Sequence, residues 1–189
     1  MWALVESGSV SKIYTRPKQL TLGDVNYPSN IFTMWSASEL EAIGIYEVVI
    51  DNTNYKDPNY YNNTNQSFTF ADNKVTASYG TATARLLEDT TVDGKVVKGI
   101  RPAKLVQVNN EAYGLLQSND WMVVKATETS GTVASDWTTY RTNVRSTAQS
   151  MKTKINAVSD VDALAALYVY NDDDPPTRPL GEFPTPPTS

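Results

Sequence analysis

The sequence predicts an α+β protein with a small, mostly antiparallel β unit over residues 1–100, a helical unit over residues 101–170 and an extended proline-rich arm over residues 171–189. Three observations support this. Apolar residues alternate in short runs up to residue 100, which is typical of strands. After Arg101 the apolar period changes to about 3.6 residues, which is typical of helices. Six of the ten prolines lie in the arm, where they favour a polyproline-like conformation.

The chain begins with strand and turn signals. Two hairpins are predicted, Trp2–Glu6 with Val10–Tyr14 and Leu20–Leu22 with Val25–Tyr27, because glycine-containing turns separate each pair of apolar runs. A short helix is predicted over 36–43.

The signals for that helix are local. Ser36 and Glu39 have the spacing of a capping box, in which each side chain bonds a free backbone N–H. Gly44 follows as a C-terminal stop. The β-branched run Ile45–Ile50 is then predicted to return to the sheet as a strand.

Residues 51–65 form an Asn- and Tyr-rich stretch that predicts a long loop. Tyrosine offers a large contact area at low entropic cost, so Tyr55, Tyr60 and Tyr61 are candidate partner-binding residues. A plain solvated connection is the simpler alternative. The following alternating segments 67–71, 74–79 and 81–87, with a hairpin over 92–97 around Asp93-Gly94, predict a β-meander.

Three helices are predicted from capping signals and from the 3.6-residue spacing of apolar residues: 103–117, a short piece holding Trp121 and Val124, and 160–167 capped by Ser159. Between the last two lies the clearest periodic signal. Its apolar residues recur at steps of three and four over Trp137, Tyr140, Val144, Ala148, Met151, Ile155 and Val158. This seam fits either the buried face of a helix within one chain or a coiled-coil interface of a homo-oligomer.

The arm contains too few apolar residues for a core of its own. We expect a neighbouring chain to hold it, with Leu180 and Phe183 as apolar anchors in a partner groove.

Composition excludes several function classes. The chain has no His and no Cys, so it has no Ser-His-Asp or Cys-His nucleophile and no His- or Cys-ligated zinc. We nominate no catalytic, cofactor-binding or metal-binding residue; Asp172–Asp174 is interpreted as a solvated charge run.

The net charge of −5 argues against nucleic-acid binding. No apolar run is long enough for a membrane span or a secretory segment, so we expect synthesis in the cytoplasm. The sequence therefore predicts a protein that is not an enzyme and has no small-molecule substrate.

Two stretches resemble proteins of tailed bacteriophages. The opening, WALVESGSV through IYTRP to WSASELEAIGIY at Tyr46, resembles the amino-terminal module of small phage tail-region proteins. The second stretch, Asp120-Trp121, Glu128, Tyr140-Arg141 and Val144-Arg145, is similar to a D-W…E…YR…VR pattern near the carboxyl end of phage tail-fibre and tail-fibre-assembly proteins. Physically, these residues are expected to fold the helical unit, with Trp121 between helices and Asp120 or Glu128 paired to an arginine.

The resemblance implies a non-enzymatic structural protein of the virion, in the tail, baseplate or fibre-attachment region, that binds neighbouring virion proteins. Synthesis would then take place in the host cytoplasm. A tail-fibre assembly chaperone that is absent from the finished particle is the alternative. A third class is a receptor- or glycan-binding tip, in which Trp2, Trp35, Trp121 and Trp137 would line a sugar site.

Overall fold

The fold is α+β, and the computed structural model describes residues 1–188. The chain forms two compact units, Met1–Thr83 and the described residues from Ala84 onward. The division predicted at residue 100 falls inside the second unit. Backbone bonds explain this, because Ile100 N–H donates to Leu86 C=O and Arg101 N–H to Leu87 C=O, both at 2.9 Å.

Eleven strands and helices make up the chain as far as Ala84. In order they are β1 (Trp2–Glu6), β2 (Ser9–Tyr14), β3 (Leu20–Leu22), β4 (Val25–Tyr27), α1 (Ile31–Met34), α2 (Ala37–Ala42), β5 (Ile45–Asp51), β6 (Tyr61–Asn62), β7 (Gln66–Ala71), β8 (Lys74–Tyr79) and β9 (Thr83–Ala84).

A curled five-stranded sheet dominates the first unit. Its strand order is β2-β1-β5-β8-β7, and the two outer strands approach each other. Every pair is antiparallel except β5 with β8, which run parallel and align Val48 with Val75. The meander predicted over 67–87 is therefore wrong in part. β7 and β8 form the expected hairpin, but of the third segment only the two residues of β9 are a strand.

Both faces of the sheet are covered. Ala3 and Leu4 are adjacent in β1, so their side chains point to opposite faces. Leu4 joins a cluster with residues of α1 and α2, including Phe32 and Leu40. Ala3 joins a second cluster with Val48, Val75 and Ala77.

Local signals around α2 are confirmed. Glu39 N–H donates to Ser36 Oγ, and Ser36 N–H donates to Glu39 Oε2 at 2.7 Å, which completes the capping box. Gly44 has a φ of +81°, and a Cβ there would lie 2.9 Å from Val5 O. Since Val5 N–H also donates to Gly44 C=O at 2.8 Å, glycine is required where α2 meets β5.

The second unit contains one hairpin and four helices. They are β10 (Thr90–Val92), β11 (Lys95–Val97), α3 (Ile100–Gln117), α4 (Asp120–Glu128), α5 (Ser135–Ala157) and α6 (Val161–Ala166). Within the described chain no helix combines the length and apolar character that crossing a membrane requires.

Helices α3 and α5 pack together, and the apolar seam of α5 is buried inside the chain. Its buried members are Tyr140, Val144, Ala148, Met151 and Ile155. The intrachain interpretation of the seam is thus confirmed, and these side chains are not free to form a coiled coil. Helix α6 has a different cap from the one predicted: Asp160, not Ser159, accepts the bond from Ala163 N–H at 2.8 Å.

Candidate partner-binding surfaces

The Asn/Tyr-rich loop is largely bonded to itself. Asn63 bonds both backbone groups of Lys56, donating to its C=O at 2.7 Å and accepting from its N–H at 2.9 Å. Asn54 donates to Tyr79 C=O at 3.0 Å. Asp51 accepts from the Thr53 hydroxyl and N–H, and these bonds lower the pKa of its carboxyl. The amide side chains of Asn54 and Asn63 therefore order the loop.

Two of the three candidate tyrosines are buried. Tyr60 and Tyr61 lie inside the first unit, because Tyr61 begins β6 and pairs with β9. Tyr55 is 45% exposed and contacts Tyr79 in a tilted arrangement with 5.0 Å between ring centroids. The structure thus leaves Tyr55 at the surface, whereas it places Tyr60 and Tyr61 in the fold.

We call residues 178–182 the base of the arm. The helical unit of the same chain holds this base. Leu180 is 3% exposed, and its N–H donates to Leu167 C=O at 2.9 Å. Lys154 Nζ donates to Pro179 C=O at 2.7 Å and to Leu180 C=O at 3.2 Å. The expectation that Leu180 anchors the arm to a neighbouring chain is therefore corrected: it anchors the arm in cis.

Charge and aromatic contacts reinforce this base. Arg178 forms an ion pair with Glu182 at 2.7 Å, and its guanidinium lies 5.3 Å from the ring centroid of Tyr170. The Tyr170 hydroxyl donates to Glu182 at 2.8 Å, and this bond raises the pKa of the phenol. Phe183, the second predicted anchor, is half-buried at the point where the arm leaves the base.

The tip of the arm runs back along α5. Residues Pro184–Thr188 line a shallow groove of about 510 Å³ together with Asp136, Thr139, Tyr140 and Asn143. Because the base lies at Lys154 and the tip near Asp136, the arm runs antiparallel to the helix.

Helix α4 exposes several large apolar side chains to solvent. All of its residues are described and none is buried. Trp121 is 57% exposed, Val124 is 55% exposed and Val123 is 41% exposed. The expectation that Trp121 packs between helices is therefore wrong.

A groove of about 320 Å³ lies beside this helix, between Trp121 and Trp137. Its other lining residues are mostly small or apolar: Met122, Lys125, Ala126, Thr129, Gly131, Thr132, Val133 and Ala134. We call the exposed side chains of α4 and this groove the α4 surface.

One buried arginine attaches α4 to the helical core. Arg141 on α5 donates to Leu116 C=O at 3.1 Å, to Asn119 Oδ1 and to Asp120 Oδ1 at 2.6 Å. Asn119 is 1% exposed and in turn donates to Leu115 C=O at 2.8 Å. The predicted pairing of Asp120 with an arginine is confirmed, and these pattern residues are structural.

The acidic run Asp172–Asp174 lies in an exposed turn that Asn171 organises. Asn171 Oδ1 accepts from Thr177 N–H at 2.7 Å, and its Nδ2 donates to Asp173 at 2.6 Å. Over residues 1–188 no group of three His, Cys, Asp or Glu side chains is placed to hold a metal ion.

No protein-family model, curated protein or solved structure matches this chain. The surfaces described above are accordingly assigned from the geometry of this chain alone. The resemblance to phage tail-region proteins stays a prediction from the two quoted sequence stretches.

Proposed function

We propose that this protein is a non-enzymatic structural component of a tailed-phage particle, located in the tail, baseplate or fibre-attachment region, where it binds neighbouring virion proteins. The observation that carries the proposal is the α4 surface. A nine-residue helix that buries none of its own side chains, yet exposes a tryptophan and two valines, gains from a protein partner that removes them from water.

The chemistry of the α4 surface suits a protein rather than a small molecule. Tryptophan is enriched among the residues that dominate binding energy at protein interfaces. Lys125 lies with its Nζ 5.9 Å from the Trp121 ring centroid, so a charged rim borders the apolar centre. The chain contributes neither imidazole nor thiol to a reaction, which also supports a binding role.

Particle composition tests this function. Mass spectrometry of purified phage particles is expected to find the chain at a fixed ratio to the major tail protein. If the chain is present in the lysate during assembly but missing from finished particles, the assembly-chaperone alternative replaces the proposal. Binding to a glycan array by the isolated chain, together with a location at the tip of the fibre, would favour the receptor-binding class.

A paired substitution tests the α4 surface itself. Trp121→Ser with Val124→Ser is expected to reduce incorporation into particles, because losing a central aromatic contact typically costs about 2 kcal/mol, or about thirtyfold in affinity. Tyr113→Ser with Val106→Ser is the matched control, since it removes one exposed aromatic and one exposed valine from α3. Equal incorporation of the two double variants, both with unchanged circular dichroism, would reject the α4 surface as the contact.

A further inference from the structure

The tip of the arm contacts α5 along a single edge. Pro184 and Pro187 are half-buried, while Thr185 and Pro186 between them are exposed. A polyproline II helix has three residues per turn, so positions 184 and 187 lie on the same edge. This Pro-x-x-Pro arrangement is the one by which aromatic-lined grooves recognise proline-rich segments.

The groove on α5 has matching features. Tyr140 lines it, and its ring centroid is 5.7 Å from that of Trp137 in an edge-on arrangement. Asp136, Thr139 and Asn143 border it with exposed polar side chains. An aromatic ring flanked by polar side chains accepts a preformed proline helix at a small cost in conformational entropy.

The tip is attached differently from the base. Lys154 and Leu167 hold the base through backbone hydrogen bonds at Pro179 and Leu180. In the tip, Pro184, Pro186 and Pro187 have no N–H to donate. Gly181, within the base, has a φ of +96°, a conformation that favours glycine and that turns the chain just before the tip.

We propose that the tip is exchangeable between copies, so that the α5 groove of one copy binds the Pro184–Pro187 edge of a second copy's arm. The second copy is the occupant because its arm carries the same segment that already lies beside this face of α5 within one chain. The residues from Phe183 to Thr188 span about 19 Å when extended at about 3.1 Å per residue, which allows the tip to reach past its own helix.

Concentration decides which tip occupies the groove. A segment on a short tether has an effective concentration of about millimolar at its own groove. The tip of an isolated copy therefore binds in cis, and exchange begins when copies are packed at comparable local concentration. This linkage between copies goes beyond the proposed function and does not depend on which particle contains the chain.

Engineered cysteines report the exchange directly, because the chain has none of its own. Thr139 and Thr188 line the same groove, so the double variant Thr139→Cys/Thr188→Cys is expected to form an intrachain disulfide under mild oxidation. Next, a Thr139→Cys chain is mixed at about millimolar concentration with a Thr188→Cys chain. Exchange predicts a disulfide-linked pair of the two chains.

Position and sequence controls make the result specific. Gln149→Cys replaces Thr139→Cys as the position control, since ten residues along α5 correspond to about 15 Å. Pro184→Gly/Pro187→Gly removes the buried edge, and Thr185→Gly/Pro186→Gly makes a comparable change on the exposed edge. All variants are compared by circular dichroism before oxidation.

The expected result is a mixed dimer through position 139 that falls at least about tenfold with Pro184→Gly/Pro187→Gly and persists with Thr185→Gly/Pro186→Gly, as loss of a tethered contact predicts. Failure of the intrachain disulfide would overturn the groove assignment. An intrachain disulfide without the mixed dimer would show that the tip stays in cis and would overturn exchange. Equal cross-linking through position 149, or equal yields from the two glycine pairs, would also reject it.

Discussion

Arg141 shows how one side chain can position a helix that has no core of its own. Its guanidinium reaches from α5 to Leu116, Asn119 and Asp120, at the corner where α3 ends and α4 begins. Lysine could not replace it, since only the planar guanidinium presents several donors in a fixed fork. Because Asn119 and Arg141 are both buried, each would be left with unsatisfied polar atoms if the other were removed.

Arg141→Met is expected to destabilise the second unit by about 2 kcal/mol, the cost of leaving the buried Asn119 Oδ1 without its donor. The half-exposed Asp120 adds little to this figure, because water screens its ion pair. Urea denaturation measures the change. Arg145→Met, one turn along the same helix at an exposed position, is the control and should shift stability by less than about 0.5 kcal/mol. Similar losses in both variants would contradict the special role of Arg141.

At the scale of elements, the sequence predicted the features that local chemistry determines. The capping box at Ser36, the hairpin turn at Asp93-Gly94 and the seam of α5 each involve neighbours within a few residues, and all three are confirmed. The parallel pairing of β5 with β8 involves residues far apart in sequence. No local periodicity contains that information, which is why an uninterrupted meander was predicted instead.

The candidate partner-binding residues were harder to predict for a related reason. Tyr61 is buried within β6, a strand of only two residues, and so short a strand produces no alternating pattern in the sequence. Leu180 is buried by contacts with Leu167 and Lys154, which lie outside the arm. For α4 the pattern indicated a helix correctly, but periodicity alone does not show whether a helical face meets the core or the solvent. Burial of an isolated apolar side chain thus depended on tertiary contacts.

The N-cap of α6 makes a prediction about pH. Asp160 accepts from Ala163 N–H and from the Ser159 hydroxyl, and these bonds lower the pKa of its carboxyl in the folded protein. An unperturbed aspartate has a pKa of about 3.9. Since the folded value is lower, the stabilisation is complete above that pH and is lost as the pH falls through the folded value.

Asp160→Asn retains an equally good N-cap acceptor but cannot titrate. We expect the variant to lose less of its free energy of unfolding between pH 7 and pH 3 than the natural chain, in denaturant titrations at the two values. The control is Asp172→Asn, in the exposed turn of the arm, because it removes one carboxylate without affecting a helix cap. The idea fails if Asp160→Asn and the natural chain respond to acid equally.

At the scale of the whole molecule, the two units complete their cores in different ways. The first unit covers both faces of a curled sheet with side chains of its own strands and short helices. The second unit uses the last segment of the chain, because Leu180 fills a site next to α6 while the tip covers part of α5. We therefore expect the base of the arm to belong to the cooperative core of the second unit, whereas the tip is the segment proposed to exchange between copies.

Leu180→Ala tests this division of the arm. Truncating a buried leucine typically costs about 3 kcal/mol, so we expect a loss of this order if the base belongs to the cooperative core. Hydrogen exchange of α5 amides near Val144 is the measurement, because these amides report on the second unit alone. Val169→Ala, at an exposed position in the same region, should change protection by less than about 0.5 kcal/mol. Equal protection in the two variants would mean that the base of the arm detaches before the helices unfold, and both base and tip would then be open to a partner.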